Sequence, residues 1–185
     1  MTASRKRLLG LHLALAISSG DALAIEVPPH IATEITDAHL CGQGKFRWFG
    51  FKIYDAQLWV SKQGFNPTMP SAEKFALDLR YARAFPGKKI AESGIHEIEK
   101  LGLGSPQQHQ AWLQQMESCF PDVSDGTHLT GIFEPGQGAN FYLDGKKICT
   151  IPDSEFSTAF FAIWLDPRTK ESKLRKELLG EISPD

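Results

Sequence analysis

The sequence of 185 residues predicts an α+β fold, an open antiparallel sheet with a layer of helices packed on one face. Three observations carry this. Several short segments alternate apolar and polar residues with a period of two. Two amphipathic segments in the middle, and near the end one apolar and one amphipathic segment, read as helices. The order is strands, two helices, a β-meander and two helices, without the strand–helix–strand rhythm of a parallel sheet.

The stretch GQGKFRWFGFKIYDAQLWV, Gly42 to Val60, organises the chain. It holds two apolar runs rich in aromatic residues, which read as strands. Tyr54, Ala56, Leu58 and Val60 fall on one face, with Asp55 and Gln57 on the other. Gly50 between the runs implies a tight turn or bulge. Upstream, Ile25 to Pro29 reads as an extended lead-in, and Ala32 to Leu40 as a strand or strand-turn. Ser61 to Ser71, with Gly64, Asn66, Pro67 and Pro70, reads as a loop. Phe75, Leu77, Leu79 and Tyr81 alternate with Ala76, Asp78, Arg80 and Ala82, a third strand with one wet face.

Pro86-Gly87 ends that strand. Ile90, Gly94, Ile95, Ile98 and Leu101 make Lys88 to Leu101 an amphipathic helix. Ser105-Pro106-Gln107-Gln108 combines a capping serine, a proline at the first helical position and a glutamine three residues after the cap. Trp112, Leu113, Met116, Cys119 and Phe120 form the stripe of the helix it starts. Thr127 to Phe133 alternates again. Asn140 to Leu143 and Lys147 to Ile151 flank Asp144-Gly145, the signal of a type I′ hairpin turn. Asp153 caps the run EFSTAFFAIWL. This run is apolar on nearly every side, so it belongs in the protein interior. Thr169 to Leu179 is the last helix, closed by Gly180.

The N-terminus reads as a secretory signal peptide over residues 1–24. Arg5, Lys6 and Arg7 precede an apolar run from Leu8 to Ile17, too short to span a bilayer, and Ala22-Leu23-Ala24 offers a small-x-small cleavage site. Residues 25–185 then form a single domain, exported and expected to be periplasmic. The formal charge is −2, and removing the basic leader makes the chain more acidic. A mildly acidic chain without a basic run gives no footprint for nucleic acid. No later segment approaches a membrane span. Cys41, Cys119 and Cys149 allow three pairings. Cys119–Cys149 is favoured because Cys41 lies in the first strand region.

The usual catalytic signatures are missing: no P-loop, no dinucleotide fingerprint, no GxSxG elbow and no HExxH. Gly42-Gln43-Gly44 lacks a third glycine and precedes a strand. His30, His39, His96, His109 and His128 are scattered, and His96 with Glu97 and Glu99 reads as a solvated helix face. Asp122 and Asp125 read as a turn, not a calcium loop. No cofactor or metal is implied. Arg47, among Phe46, Trp48, Phe49 and Phe51, admits two readings. It is a surface cation whose stem covers apolar area, or a charge held beside an apolar pocket to bind an anionic head group.

GQGKFRWF followed by FKIYDAQLWV resembles the chalcone isomerase-like family in its secreted bacterial branch. LRYARAFPGKKI, FPDVSDGTHL, NFYLDGKKI and DSEFSTAFFAIWLDPRT extend the resemblance from about Thr33 to Gly180. It implies an open antiparallel sheet with a helix layer. Some members of the family close flavanone rings, others bind fatty acids, and many bacterial members have no established activity. In the isomerases an arginine steadies a phenolate, and Arg47 matches it. A threonine that polarises the ketone through water is matched by Tyr54. The tyrosine and asparagine of the isomerases fall near Pro86 and Ser93, and their late-helix specificity residue falls near Ile163, with Trp164 beside it. One arginine and one tyrosine among apolar walls suit a monocarboxylate with a long apolar tail. The expectation is an exported, non-catalytic protein that binds a fatty acid or similar amphiphile through Arg47, Tyr54, Ile163 and Trp164. The alternatives are an isomerase (intramolecular lyase) acting on a small enone or phenolic substrate, and an accessory protein whose cleft is plugged by Phe160, Phe161 and Trp164.

Overall fold

Cross-strand rows lay out the molecule. A computed structural model describes residues 25–184, so the predicted signal peptide and its cleavage after Ala24 lie outside the described residues. Six strands pair in sequence order, all antiparallel: β1 (His39–Trp48), β2 (Phe51–Val60), β3 (Phe75–Tyr81), β4 (His128–Glu134), β5 (Gly138–Leu143) and β6 (Lys146–Ile151). One face carries the row Val60, Phe75, Phe133, Ala139 and Ile151. Beside it runs the row Leu58, Leu77, Gly131, Phe141 and Cys149. These are the inward residues of the predicted alternation, and they form the main core with the helices.

Those helices are α2 (Gly87–Lys100), α3 (Pro106–Cys119), α4 (Ser154–Leu165) and α5 (Ser172–Leu178). Ser105 and Gln108 form the complete capping box expected at the start of α3. Asp153 accepts from the backbone N–H groups of Glu155 and Phe156 and so caps α4. Phe156, Ala159, Phe160, Phe161, Trp164 and Leu165 of α4 are buried, as a helix apolar on most sides requires. Gly131 sits beneath α4, where an added Cβ would meet the Phe161 ring at 3.0 Å. Gly42 and Gly44 have a similar use: α5 lies so close on β1 that a Cβ at either would overlap Glu177. A disulfide ties Cys119 at the end of α3 to Cys149 on β6, with Cα atoms 5.7 Å apart, and Cys41 remains a thiol.

The expected strand over Ala32 to Leu40 is corrected. Pro29–Glu34 is a short helix, α1, opened by a proline in its first turn, and strand structure begins only at His39. Ile31 and Ile35, four residues apart, share one helix face. They pack with Trp59, Ala76, Ile132 and Tyr142 on the sheet face opposite the other helices. This also corrects the wet face assigned to the third strand. Asp78 on that face is only 2% exposed.

Candidate functional site

Tyr54 and Trp164, each a candidate from the sequence, meet in the structure. Tyr54 projects from β2 toward the helix layer, and its hydroxyl oxygen accepts a hydrogen bond from Trp164 Nε1 on α4 at 3.0 Å. Around this bond lies a run of rings. Phe46 stacks on Tyr54 at 5.1 Å, the Tyr81 ring stands edge-on to Tyr54 at 5.8 Å, and Phe160 meets Trp164 at 5.4 Å. Burial pushes the Tyr54 phenol far above its ordinary range, and burial does the same to Tyr81. Tyr54 is therefore a neutral hydrogen-bonding group near neutral pH and not a base. Ile163 is half-buried against the same core, and its carbonyl accepts from Thr169 Oγ1 at 2.8 Å.

Arg47 stands apart from that cluster. It follows Phe46 near the end of β1, beyond an irregularity in the pairing, in register with Lys52. The side chain is exposed, and Nη1 donates to the Gly50 carbonyl at 3.4 Å. So the structure joins Tyr54 to Trp164, sets Ile163 next to them in α4, and leaves Arg47 on the surface one residue beyond the Phe46 ring.

A second polar group, not expected from sequence, lies under α1. His128 Nδ1 contacts Asp78 Oδ2 at 2.7 Å, Thr130 Oγ1 donates to Asp78 Oδ1 at 2.6 Å, and His30 Nε2 contacts Thr130 Oγ1 at 2.9 Å. The hydrogen bond to Asp78 raises the His128 pKa above its ordinary value, while burial lowers that of His30. Nearby, the Tyr142 hydroxyl donates to Glu34 Oε1 at 2.6 Å. The signal for this group was the cross-strand register of Asp78 with Thr130, and of Arg80 with His128. It becomes readable only once α1 is known to cover that face. The arrangement satisfies a buried carboxylate and ties α1, through His30, to β3 and β4.

Two clefts lie elsewhere. A groove of about 510 Å³ runs past Trp112, Phe133, Leu103 and Ala159, with Gln108 and Glu155 on its rim. Its lining includes no lysine or arginine. A smaller, polar cleft of about 210 Å³ lies between the end of α1 and the β2–β3 loop, beside Glu34, Lys62 and Lys74. Among the described residues no group of histidine, cysteine, aspartate and glutamate could hold a metal ion.

A family model described as chalcone isomerase-like matches residues 21–180. The chain belongs to the chalcone isomerase-like family. It is 33% identical over 140 residues to an uncharacterised protein of Haemophilus influenzae, covering 76% of this chain and 67% of that protein. Its fold is similar to the crystal structure of a fatty-acid binding protein of Arabidopsis thaliana. The TM-score is 0.57 and the identity 11%, over 79% of this chain and 88% of that one. In this member of the family Tyr54 and Trp164 are bonded to each other.

Proposed function

We propose that this protein is an exported, periplasmic carrier for a fatty acid or similar amphiphilic carboxylate. The observation that carries the reading is the run of rings from Trp164 through Tyr54 to Phe46, which reaches the surface beside Arg47. An apolar tail lies between β2 and α4 once the Tyr54–Trp164 bond opens. Its carboxylate turns outward to Arg47, whose planar guanidinium matches a carboxylate through two parallel hydrogen bonds. Tyr54, kept neutral by burial, is released to donate to the ligand. The larger groove suits a carboxylate less well, since its rim carries Glu155 and its lining has no cation. The fatty-acid binding activity of the structural neighbour, and the signal-peptide pattern of residues 1–24, support the reading from outside the site.

Displacement of a fluorescent fatty acid tests it. Saturated fatty acids are expected to compete, and Arg47→Ala to weaken them by roughly tenfold or more, the value of a hydrogen bond to a charged group. Competition that is unchanged in Arg47→Ala removes Arg47 from the site. Absence of competition at every chain length removes the reading.

A second reading rests on Phe160, Phe161 and Trp164, all buried in the main core. If these rings fill the layer permanently, the protein acts through its surface. The same displacement assay, showing no uptake, favours that reading.

A further inference from the structure

The β1–β2 hairpin ends in a turn that its own fold does not explain. Trp48 pairs with Phe51, so Phe49-Gly50 is a two-residue loop. Phe49 has φ 47° and Gly50 φ 80°. Positive φ at both central positions is the geometry of a type I′ turn, which asparagine, aspartate or glycine normally opens. The β5–β6 hairpin has the same geometry with the usual residue, Asp144 at φ 46° followed by Gly145 at φ 80°. At the β1–β2 turn a phenylalanine instead holds the left-handed conformation, which is unfavourable for an ordinary side chain. Its ring is 82% exposed, so burial does not offset that cost.

Neighbouring residues extend the feature. Trp48 is 63% and Phe51 58% exposed. The three rings form a narrow apolar apex, with Trp48 edge-on to Phe49 at 4.8 Å. Basic groups ring its base. Lys45 and Arg47 are exposed on β1, Lys52 follows Phe51, and the Arg83 guanidinium lies 4.7 Å over the Phe51 ring. Asp55, paired with Lys52 at 2.8 Å, is the one acidic residue within the two strands. The whole chain is net negative, so this basic collar runs against its overall charge.

We infer that the β1–β2 tip is a membrane-docking wedge, in which Trp48, Phe49 and Phe51 enter the interface of a bilayer and the basic collar meets anionic lipid headgroups. Tryptophan favours the headgroup level of a bilayer, and phenylalanine serves on the apolar face of segments that lie in the interface. Apolar residues combined with lysine and arginine bind anionic surfaces without spanning them. A pointed, convex apex fits a deformable lipid interface better than it fits the flat surface of a partner protein. The inference does not depend on whether the protein carries a fatty acid.

Trp48 is a built-in reporter. Of the four tryptophans, Trp59, Trp112 and Trp164 are buried. The test is fluorescence of the full chain with vesicles of phosphatidylglycerol and phosphatidylcholine in equal parts, whose acyl chains are brominated. Quenching with a blue shift is expected, with vesicles of phosphatidylcholine alone giving much less. Phe49→Asn keeps the turn, since asparagine suits its conformation, and is expected to weaken partitioning by roughly tenfold, as loss of a buried aromatic ring implies. Fatty-acid displacement should stay unchanged in that variant, which separates this inference from the carrier reading. Residues 1–24 contain no tryptophan, so vesicle binding through them leaves Trp48 unquenched. Absence of Trp48 quenching overturns the inference, as does quenching that is equal in Phe49→Asn. A concentration-dependent dimer that Phe49→Asn abolishes, without quenching by vesicles, assigns the tip to a second copy instead.

Discussion

The indole N–H of Trp164 donates to the Tyr54 hydroxyl at 3.0 Å, a side-chain bond between β2 and α4. A buried pair of this kind contributes modestly when made and costs more when one partner is left behind. Tyr54→Phe strands the Trp164 N–H and should lower stability by about 1–3 kcal/mol. Trp164→Phe also removes ring area and should cost more. A double-mutant cycle by urea denaturation should show coupling. Strict additivity of the two changes would mean that the bond holds nothing together.

Three tyrosines are in the sequence, and all three phenols are raised above their ordinary value of roughly 10. For Tyr54 and Tyr81 the cause is burial. For Tyr142 burial comes first, followed by the hydrogen bond to Glu34. A raised folded pKa contributes stability that is complete below the unfolded value and is lost as pH rises past it. Phenolate absorbance should therefore appear together with loss of tertiary signal in an alkaline titration. Smooth ionisation of the three groups near their ordinary value, in a folded protein, would contradict the burial described.

Under α1, His128 and His30 titrate in opposite senses. The contribution of His128, raised mainly by its hydrogen bond to Asp78, is present below roughly pH 6.5 and lost as pH rises through its folded value. That of His30, lowered by burial, is present above roughly the same pH and lost as pH falls through its folded value. Imidazole NMR should resolve His128 titrating above His30. Thr130→Val, which removes one donor from the buried Asp78, should destabilise by about 1–3 kcal/mol. Coincident histidine titrations would break the assignment.

Gly42 has no room for a side chain, because a Cβ there meets the backbone oxygens of Glu177 and Leu178. Backbone cannot yield as a side chain can, so Gly42→Ala should cost about 1–3 kcal/mol and loosen α5. Hydrogen exchange in residues 172–178 should quicken. Unchanged protection there would show that α5 is not held by that close approach.

The disulfide joins residues 30 apart in sequence, and its reduction should lower stability by about 2–4 kcal/mol. Burial raises the Cys41 thiol, so it should alkylate slowly in the native protein. Mass spectrometry after alkylation with and without reductant checks both. Rapid native labelling of Cys41 would contradict its environment.

Period and punctuation made most of this fold legible. Tyr54, Ala56, Leu58 and Val60 announced an inward face, Ser105 and Gln108 a helix start, and Asp144-Gly145 a turn, because each signal is local. Long-range packing hid the rest. The helix at Pro29–Glu34 is short, and its Ile31 and Ile35 gain meaning only against Trp59 and Ile132. Asp78 read as solvated because strand alternation does not tell which face a distant helix covers. Gly42 and Gly44 carried a G-x-G spelling whose use is the close seat of α5. At the site, the family resemblance named Tyr54 and Trp164 separately, and their hydrogen bond is a long-range contact that no local signal carries. The exposure of Arg47 was one of two open readings, since a run of aromatics reads alike in a core strand and at a hairpin tip.

Fatty-acid carriage is open to native mass spectrometry of the protein purified from its own cells, followed by organic extraction of whatever it carries. A stoichiometric long-chain carboxylate, reduced or absent in Arg47→Ala, is expected. A ligand-free mass that stays unchanged after incubation with fatty acids would contradict it and leave the layer between β2 and α4 as a permanently filled core.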